Sequence, residues 1–305
     1  MAVDNTRRAT TALVALAFCI SGSALTILNK LIMAFLPAPN LVLFAQNFVT
    51  LLLLKLGYLG SLYELETFQK QKAIRWLPLV CLFYVMLASS MLSLKTLTAT
   101  TLIVQRNLGT VSVAIADYFY IGTLQNRRRI ISIAGICFGS VWYVLGAFTG
   151  WHSFDFYGYV WLAVNIASIT AYQIKVKLLV KELDLNSWTM AYYNNMLSLP
   201  FCLIFSLACR ETGVVSLFLV KSISFKHCMI LSCSCSLGFC LSISAFQLNR
   251  LITPTSITVL NNTNKFIMMF LTAFFMDYYT LTTSSMIGAL CVLGFATYYS
   301  LASNN

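Results

Sequence analysis

The chain of 305 residues is 59% hydrophobic and only 10% charged, and its formal net charge is +11. Soluble domains carry about 25% charged residues, so this composition excludes an ordinary soluble fold and predicts a multi-pass membrane protein. The positive charge follows the predicted membrane edges described below, so it does not indicate nucleic-acid binding.

Ten stretches of the sequence approach the length of about 20 apolar residues that crosses the hydrocarbon core of a bilayer. These predicted spans are residues 10–32, 39–59, 76–94, 98–122, 129–148, 157–176, 187–208, 227–248, 252–276 and 281–302. They leave almost no sequence for a soluble domain, so we expect an all-α integral membrane protein. The first span is long and lacks a small-residue cleavage site, which favours a membrane anchor over a cleaved signal peptide.

The basic residues outside the spans predict the orientation. If the N-terminus is cytosolic, the cytosolic side holds Arg7, Arg8, Lys70, Lys72, Arg75, Arg127, Arg128, Arg129, Lys175, Lys177, Lys181 and Arg250. The opposite side holds only Lys95, Arg210, Lys221 and Lys226. Because loops on the cytosolic side carry an excess of Lys and Arg, we expect both termini to be cytosolic.

The fourth and ninth spans resemble each other. Residues 99–107 match residues 254–262 at a constant offset of 155 residues, sharing threonine, aliphatic, valine and asparagine positions. A repeat of five helices places the second half upside down relative to the first, which is typical of secondary transporters with a substrate site between the repeats. We therefore predict one membrane domain of ten transmembrane helices, built as two inverted five-helix repeats, residues 1–150 and 151–305.

Four basic residues, Lys30, Lys55, Arg106 and Lys265, lie inside predicted spans, together with a single acid, Asp117. A charge at the bilayer centre costs roughly 2.5–3.5 kcal/mol and usually faces a cavity and a partner. One carboxylate cannot neutralise four cations, so the sequence predicts an anion that arrives from outside. Lys55 has no polar neighbours in its span and is expected to extend toward the headgroups.

The polar face around Lys265 is the strongest candidate site. Lys265 lies near the middle of the ninth span, and Thr258 and Asn261 share its face at i, i+3, i+7 spacing. Asn264 lies at the edge of this face, and Asn262 is turned farther away. Amides and a cation suit phosphate oxygens, and the alternative is hydrogen bonding between helices.

The seventh span contains a second polar cluster, Tyr192, Tyr193, Asn194, Asn195 and Ser198. An amide in lipid needs partners for both its donors and its acceptor. A purine edge could supply them, and the tyrosines could stack on a base or fill space. The alternative is a cluster that packs helices together.

Two further spans carry candidate residues. Thr26, Asn29 and Lys30 lie in the first span, where Lys30 either extends to the membrane edge or steers a substrate. Arg106 and Asn107 lie in the fourth span, at the positions that match Asn261 and Asn262. An arginine can bind phosphate with two hydrogen bonds, or it can bind a carbonyl or a gate residue.

Enzyme signatures are absent from the sequence, which shows no Ser/His/Asp set, HExxH or phosphate-binding GxxxxGK[ST] pattern. The two histidines, His152 and His227, lie at predicted span edges, and the ten cysteines lie mostly within spans. We therefore expect neither an enzyme nor a metal site or cofactor.

Two motifs resemble those of the nucleotide-sugar transporters in the drug/metabolite transporter superfamily, above all the GDP-mannose transporters. Residues 192–200 are similar to their F/Y-Y-N-N motif followed by L-S-x-P, and residues 261–265 are similar to their G-A-L-N-K motif. Residues 26–30 and 106–108 also resemble family patterns, and the similarity runs from about residue 12 to about 300. Asn261 and Asn262 depart from the family, because they replace its glycine and alanine.

The resemblance implies a ten-helix Golgi antiporter that imports cytosolic GDP-mannose and returns GMP. Asn194 and Asn195 would recognise guanine, and Asn264 and Lys265 would hold the ribose-phosphate and sugar end. Guanine is better supported than mannose, because extra side chains stand at Asn261 and Asn262.

The expected partners are a nucleotide sugar, a nucleoside monophosphate and the lipid bilayer. Small residues in the last span, Gly288 and Gly294, either pack within the chain or form a homodimer. Two alternatives remain at this point: a carrier of another organic anion, such as a UDP-sugar or a triose phosphate, and a membrane scaffold that transports nothing.

Overall fold

The computed structural model describes residues 2–121, 127–148, 155–183, 185–213, 224–251, 260–261, 264–265, 268 and 282–302. Every regular element in this part of the chain is a helix. The helices are α1 (Ala2–Phe35), α2 (Pro39–Leu59), α3 (Lys70–Thr96), α4 (Ala99–Gln105), α5 (Leu108–Ile121), α6 (Arg127–Phe148), α7 (Phe156–Leu183), α8 (Ser187–Ala208), α9 (Phe225–Leu251) and α10 (Thr283–Ala302). The described residues between 260 and 268 are also helical.

Five helices within the described ranges are long and apolar enough to cross a membrane. Their apolar stretches are Thr10–Phe35, Pro39–Leu59, Lys70–Thr96, Arg127–Gly146 and Phe225–Leu248. They confirm the prediction of an all-helical integral membrane protein. α8 has 22 residues, but its tyrosines and asparagines at 192–195 reduce its hydropathy. The total of ten spans stays a prediction, because most of the ninth span lies outside the described residues.

The predicted fourth span is not one continuous helix, because a turn at Arg106 and Asn107 separates α4 from α5. The amide of Asn107 donates to the backbone oxygens of Ile103 (3.3 Å) and Val104 (3.1 Å). Its backbone N–H also reaches the Val104 oxygen, at 3.1 Å. Side-chain hydrogen bonds of this kind compete with regular helical ones, and they explain the break. Irregular backbone at membrane depth is tolerated where it is buried in protein or lines a cavity.

Four helix pairs form the largest interfaces: α1 with α9, α2 with α8, α3 with α7, and α6 with α10. One buried apolar cluster joins α2, α3, α7, α8 and α9 around Trp76 and Tyr193. A second cluster joins the end of α1 to the start of α2 and to α3, around Ile32, Leu43 and Met91.

The loop of residues 60–69 ties α2 and α3 to the start of α8. The ring of Tyr63 stacks on Trp188 with centroids 3.9 Å apart, and burial raises the pKa of the Tyr63 phenol. The Glu66 carboxylate accepts a hydrogen bond of 3.2 Å from the backbone N–H of Asn186, the N-cap residue of α8. A carboxylate at a helix start is stabilised by the free N–H groups and by the helix dipole. We call this end of the bundle the loop end.

Glu211, which follows α8, ties the opposite end of the bundle. Its carboxylate accepts from the backbone N–H groups of Asn40 (3.3 Å) and Leu41 (3.0 Å) at the start of α2, and from the Asn40 amide (2.7 Å). The Tyr84 hydroxyl of α3 donates to Asn40 Oδ1 at 2.5 Å. Because Glu211 is only 5% exposed, it joins α2, α3 and the segment after α8 through buried bonds.

α6 and α10 are in contact backbone to backbone. A Cβ added at Gly288 would lie 2.5 Å from the backbone nitrogen of Tyr143, and one added at Gly146 would lie 2.6 Å from that of Ser285. Small residues allow this close approach in lipid. Gly288 therefore packs within the chain. A Cβ added at Gly294 would meet no described atom within 4 Å, and a homodimer through this helix stays one of the two predicted alternatives.

We expect Gly288→Ala to lower the thermal unfolding temperature of the detergent-purified protein. The added methyl group must push apart two backbones, and overpacking of this kind costs about 1–3 kcal/mol. Gly294→Ala is the matched control on the same helix, where we expect an unchanged or slightly higher unfolding temperature. Equal values for Gly288→Ala and the native chain would contradict the contact.

We also expect Glu211→Ala to lower the unfolding temperature. The substitution removes the acceptor of two backbone N–H groups and one amide, and each buried donor left unsatisfied costs about 1–3 kcal/mol. Thr212→Ala, at the exposed neighbouring position, is the control. A Glu211→Ala melting curve that overlays the control curve would show that the carboxylate does not hold α2.

Candidate functional site

A cavity of about 460 Å³ lies inside the bundle. Its walls come from α1, α2, α3, α4, α7, α8, α9 and the helical residues between 261 and 268, so both predicted halves contribute. The volume falls within the range of roughly 300–1,000 Å³ that is typical of small-molecule sites. Its polar lining residues are Thr26, Gln46, Asn47, Thr50, Arg106, Tyr172, Gln173, Asn195, Ser242, Asn261, Asn264 and Lys265.

Arg106 brings the first positive charge to this cavity. It lies at the break between α4 and α5, which places it on the wall rather than within a regular helix. Its Nε donates to Asn165 Oδ1 (3.1 Å), and its Nη2 donates to the Ser90 hydroxyl (2.6 Å). Asn165 is in turn fixed by a hydrogen bond of 2.7 Å to the Met86 oxygen. Uncharged groups therefore orient the guanidinium, and they do not neutralise its positive charge.

Lys265 brings the second positive charge. Its Nζ donates to Asn107 Oδ1 at 3.0 Å, and Asn107 is 0% exposed. The amide nitrogen of Asn107 thus makes the hydrogen bonds that interrupt the helix, and its amide oxygen accepts the hydrogen bond from Lys265. The break places Arg106 on the cavity wall, and the same turn positions Lys265.

The charge balance of the cavity is positive. None of the described lining residues is an acid, and the ion pairs found in the described ranges, Lys72–Glu66 and Arg75–Glu182, involve neither Arg106 nor Lys265. Cations in low-dielectric surroundings require a counter-charge. The arrangement therefore favours an anion in the cavity.

Three asparagines predicted from the sequence also line the cavity. Asn195 donates from Nδ2 to the Ala191 oxygen (2.8 Å) and to the Ser242 hydroxyl (3.0 Å). Asn264 Oδ1 accepts from the Ser23 hydroxyl of α1 at 2.7 Å. Asn261 lies on the same wall as Lys265.

The other predicted residues of α8 do not line the cavity. Asn194 is 0% exposed, and neither atom of its amide has a hydrogen-bond partner in the described part of the chain. Tyr193 is buried in the apolar cluster, where its hydroxyl accepts from the backbone N–H of Gln69 at 2.9 Å. Tyr192 packs against that cluster, and the Ser198 hydroxyl donates to the Asn194 backbone oxygen. The two tyrosines therefore belong to the apolar packing of the bundle, and stacking of either ring on a base stays a prediction.

Of the polar residues predicted in the first span, Thr26 lines the cavity, whereas Asn29 and Lys30 lie outside its lining. Asn29 Oδ1 accepts from the side chain of Gln46 at 2.9 Å. Lys30 Nζ donates to the backbone oxygens of Leu94 and Leu97, both at 2.7 Å. These bonds place the ammonium at the end of α3, where the last carbonyls of a helix attract a cation. The two predicted roles for Lys30, extension to the membrane edge and substrate steering, stay predictions.

Several predicted features lie outside the described residues: Asn262, His152 and the segment 254–259 of the internal repeat. The side chain of Asp117 is also not described. His227 stacks on Phe35 with ring centroids 4.4 Å apart. Within the described ranges, no group of three or more His, Cys, Asp or Glu side chains could hold a metal ion.

Sequence reasoning missed Gln46, Asn47 and Thr50 of α2 and the pair Tyr172 and Gln173 of α7. The first three follow i, i+1, i+4 spacing in a largely apolar helix. This cluster of uncharged polar residues within a predicted span was the available signal in the sequence.

No protein-family profile matches the chain. Over 298 residues the chain is 26% identical to GDP-fucose transporter 1 of Arabidopsis thaliana, covering 95% of this chain and 84% of that protein. It is 25% identical over 289 residues to the GDP-mannose transporter GONST3 of the same plant, covering 93% and 77%. It is 25% identical over 260 residues to the GDP-mannose transporter GONST2, also of Arabidopsis, covering 82% and 68%. All three relatives are named as transporters of a GDP-sugar.

Proposed function

We infer that the chain, which is similar to GDP-fucose and GDP-mannose transporters, is a transporter related to the nucleotide-sugar carriers, as its motifs predicted, and does not act as an enzyme. We propose that it exchanges a cytosolic GDP-sugar for luminal GMP by alternating access in the Golgi membrane, with both termini in the cytosol. The observation that carries this proposal is the cavity with Arg106 and Lys265 on its wall and no acid among its described lining residues.

The two cations suit a diphosphate. Arginine offers several donors in a fixed plane and binds phosphate oxygens in pairs, whereas lysine acts as a compact charge. Because Asn165, Ser90 and Asn107 hold both heads in place, little conformational entropy is lost when phosphate binds.

The observations support guanine as the base more strongly than they support mannose as the sugar. Asn195 lines the cavity in the motif that resembles the guanine-binding motif of the family, and the names of the three relatives share GDP while their sugars differ. Asn261 adds a side chain to the wall where the family has glycine. These facts favour a guanine nucleotide and leave mannose as one of several sugars.

Exchange follows from the same charge balance. An empty cavity with two cations is costly to bury in the membrane, so the occluded state is more accessible when an anion fills it. A nucleotide sugar moving one way and a nucleoside monophosphate moving the other way both satisfy this requirement.

The helix pairing supports two inverted five-helix repeats. In the predicted order of spans, α2 with α8 is the pair 2–7, and α6 with α10 is the pair 5–10. A two-fold axis between the halves relates each span of the first half to the span five positions later in the second half. It therefore exchanges span 2 with span 7 and span 5 with span 10. It also maps the pair of spans 3 and 6, which is α3 with α7, onto the pair of spans 8 and 1, which is α9 with α1. All four pairs are the largest interfaces in the described part of the bundle.

The first test replaces one cavity cation. We expect Lys265→Ala to reduce exchange of GDP-mannose against GMP at least about tenfold in proteoliposomes, because a charge-assisted hydrogen bond contributes about 1.5–3 kcal/mol. Lys55→Ala is the matched control, since Lys55 is a lysine of a membrane helix that is exposed on the surface. Normal exchange by Lys265→Ala, at equal reconstituted abundance, would remove Lys265 from the site.

A second test identifies the counter-substrate. Proteoliposomes are preloaded with GMP, UMP or inorganic phosphate, and uptake of labelled GDP-mannose, GDP-fucose, a UDP-sugar or a triose phosphate is measured. We expect internal GMP to accelerate uptake of a GDP-sugar and the other two to leave it slow. Acceleration of another substrate by UMP or phosphate would identify a carrier of that anion. No flux under any loading would favour a scaffold.

A further inference from the structure

A second polar group on the cavity wall has no part in the proposed function so far. Gln46, Asn47 and Thr50 of α2 all line the cavity, although they are only 6%, 5% and 2% exposed. Their small exposed surface is therefore directed at the cavity rather than at lipid.

The donors of the two amides are already bound by protein. Gln46 Nε2 donates to Asn29 Oδ1 (2.9 Å) and to the Ser234 hydroxyl (3.3 Å). Asn47 Nδ2 donates to Cys202 Sγ at 3.6 Å. Gln46 Oε1 and Asn47 Oδ1 accept no hydrogen bond from the residues that the structure covers. The amides therefore offer carbonyl oxygens to a ligand.

The polar group on α2 mirrors the one on α8. Gln46, Asn47 and Thr50 have the same spacing as Asn194, Asn195 and Ser198. The Thr50 hydroxyl donates to the Gln46 backbone oxygen at 2.8 Å, and the Ser198 hydroxyl donates likewise to the Asn194 backbone oxygen. α2 and α8 also pack against each other.

We propose that the carbonyl oxygens of Gln46 and Asn47 accept hydrogen bonds from the N–H edge of the guanine base, so that α2 helps to select the base. This inference rests on the proposed function. Phosphate oxygens are acceptors and cannot bind these oxygens. Sugar hydroxyls can donate or accept and need no fixed set of acceptors, whereas guanine presents N1–H and a 2-amino group as two adjacent donors.

The test compares ligands that differ by one donor. Binding of GMP, of IMP (which lacks the 2-amino group) and of inorganic pyrophosphate is measured by thermal shift on the purified full-length protein. A site built around a ligand N–H rejects the analogue that lacks it, and we expect native protein to bind GMP about tenfold tighter than IMP. In Gln46→Met we expect GMP to bind as weakly as IMP, with pyrophosphate binding unchanged.

Two further variants complete the design. Asn47→Leu removes the second acceptor and is expected to reduce the preference for GMP in the same way. Phe48→Leu is the control, because Phe48 lies between these residues on α2 and is 48% exposed. We expect it to keep the native ratio of GMP to IMP affinity.

The outcomes separate the inference from the function on which it rests. If native protein binds no nucleotide, the proposed function fails. If native protein prefers GMP and both α2 variants keep that preference, only the inference fails. It also fails if the variants weaken pyrophosphate binding equally, since α2 would then support the whole cavity.

Discussion

The positive charge of Arg106 and Lys265 is the constraint around which the cavity is organised. Both heads are held by neutral oxygens, from Asn165 and Ser90 for the arginine and from Asn107 for the lysine. Such bonds fix the position of a cation without removing its charge. Among the described lining residues, no carboxylate neutralises that charge either. An anionic ligand can supply the missing negative charge.

At both ends of the bundle, a carboxylate accepts hydrogen bonds from backbone N–H at the start of a helix. At the loop end, Glu66 follows α2 and binds the start of α8. At the opposite end, Glu211 follows α8 and binds the start of α2. Each helix of this central pair is therefore capped by the segment that follows the other one. This reciprocity agrees with the two-fold relation between the predicted repeats, although the two carboxylates lie in segments with no obvious sequence similarity.

Charge and motif together predicted the all-helical membrane fold and brought attention to Arg106, Asn195, Asn264 and Lys265, which the structure places on one cavity. It was harder to predict which residues of a helix face the cavity. Adjacent residues such as Asn194 and Asn195 lie about 100° apart, and only the second lines the cavity. The break at Arg106 and Asn107 was not visible either, because neither residue excludes a helix and the break depends on the hydrogen bonds that Asn107 makes. The amides of α2 were missed because they carry no charge.

Lys30 links α1 to the corner where α3 passes into α4. Its ammonium holds two carbonyls at the end of α3, those of Leu94 and Leu97, and the following α4 is only seven residues long, or about 10 Å. At the far end of this short rod stands Arg106. Tilting of α1 must therefore either break two charge-assisted bonds or move the corner, and a moving corner displaces the guanidinium. Lys30, which lies outside the cavity lining, is in this way coupled to the position of Arg106 on the cavity wall.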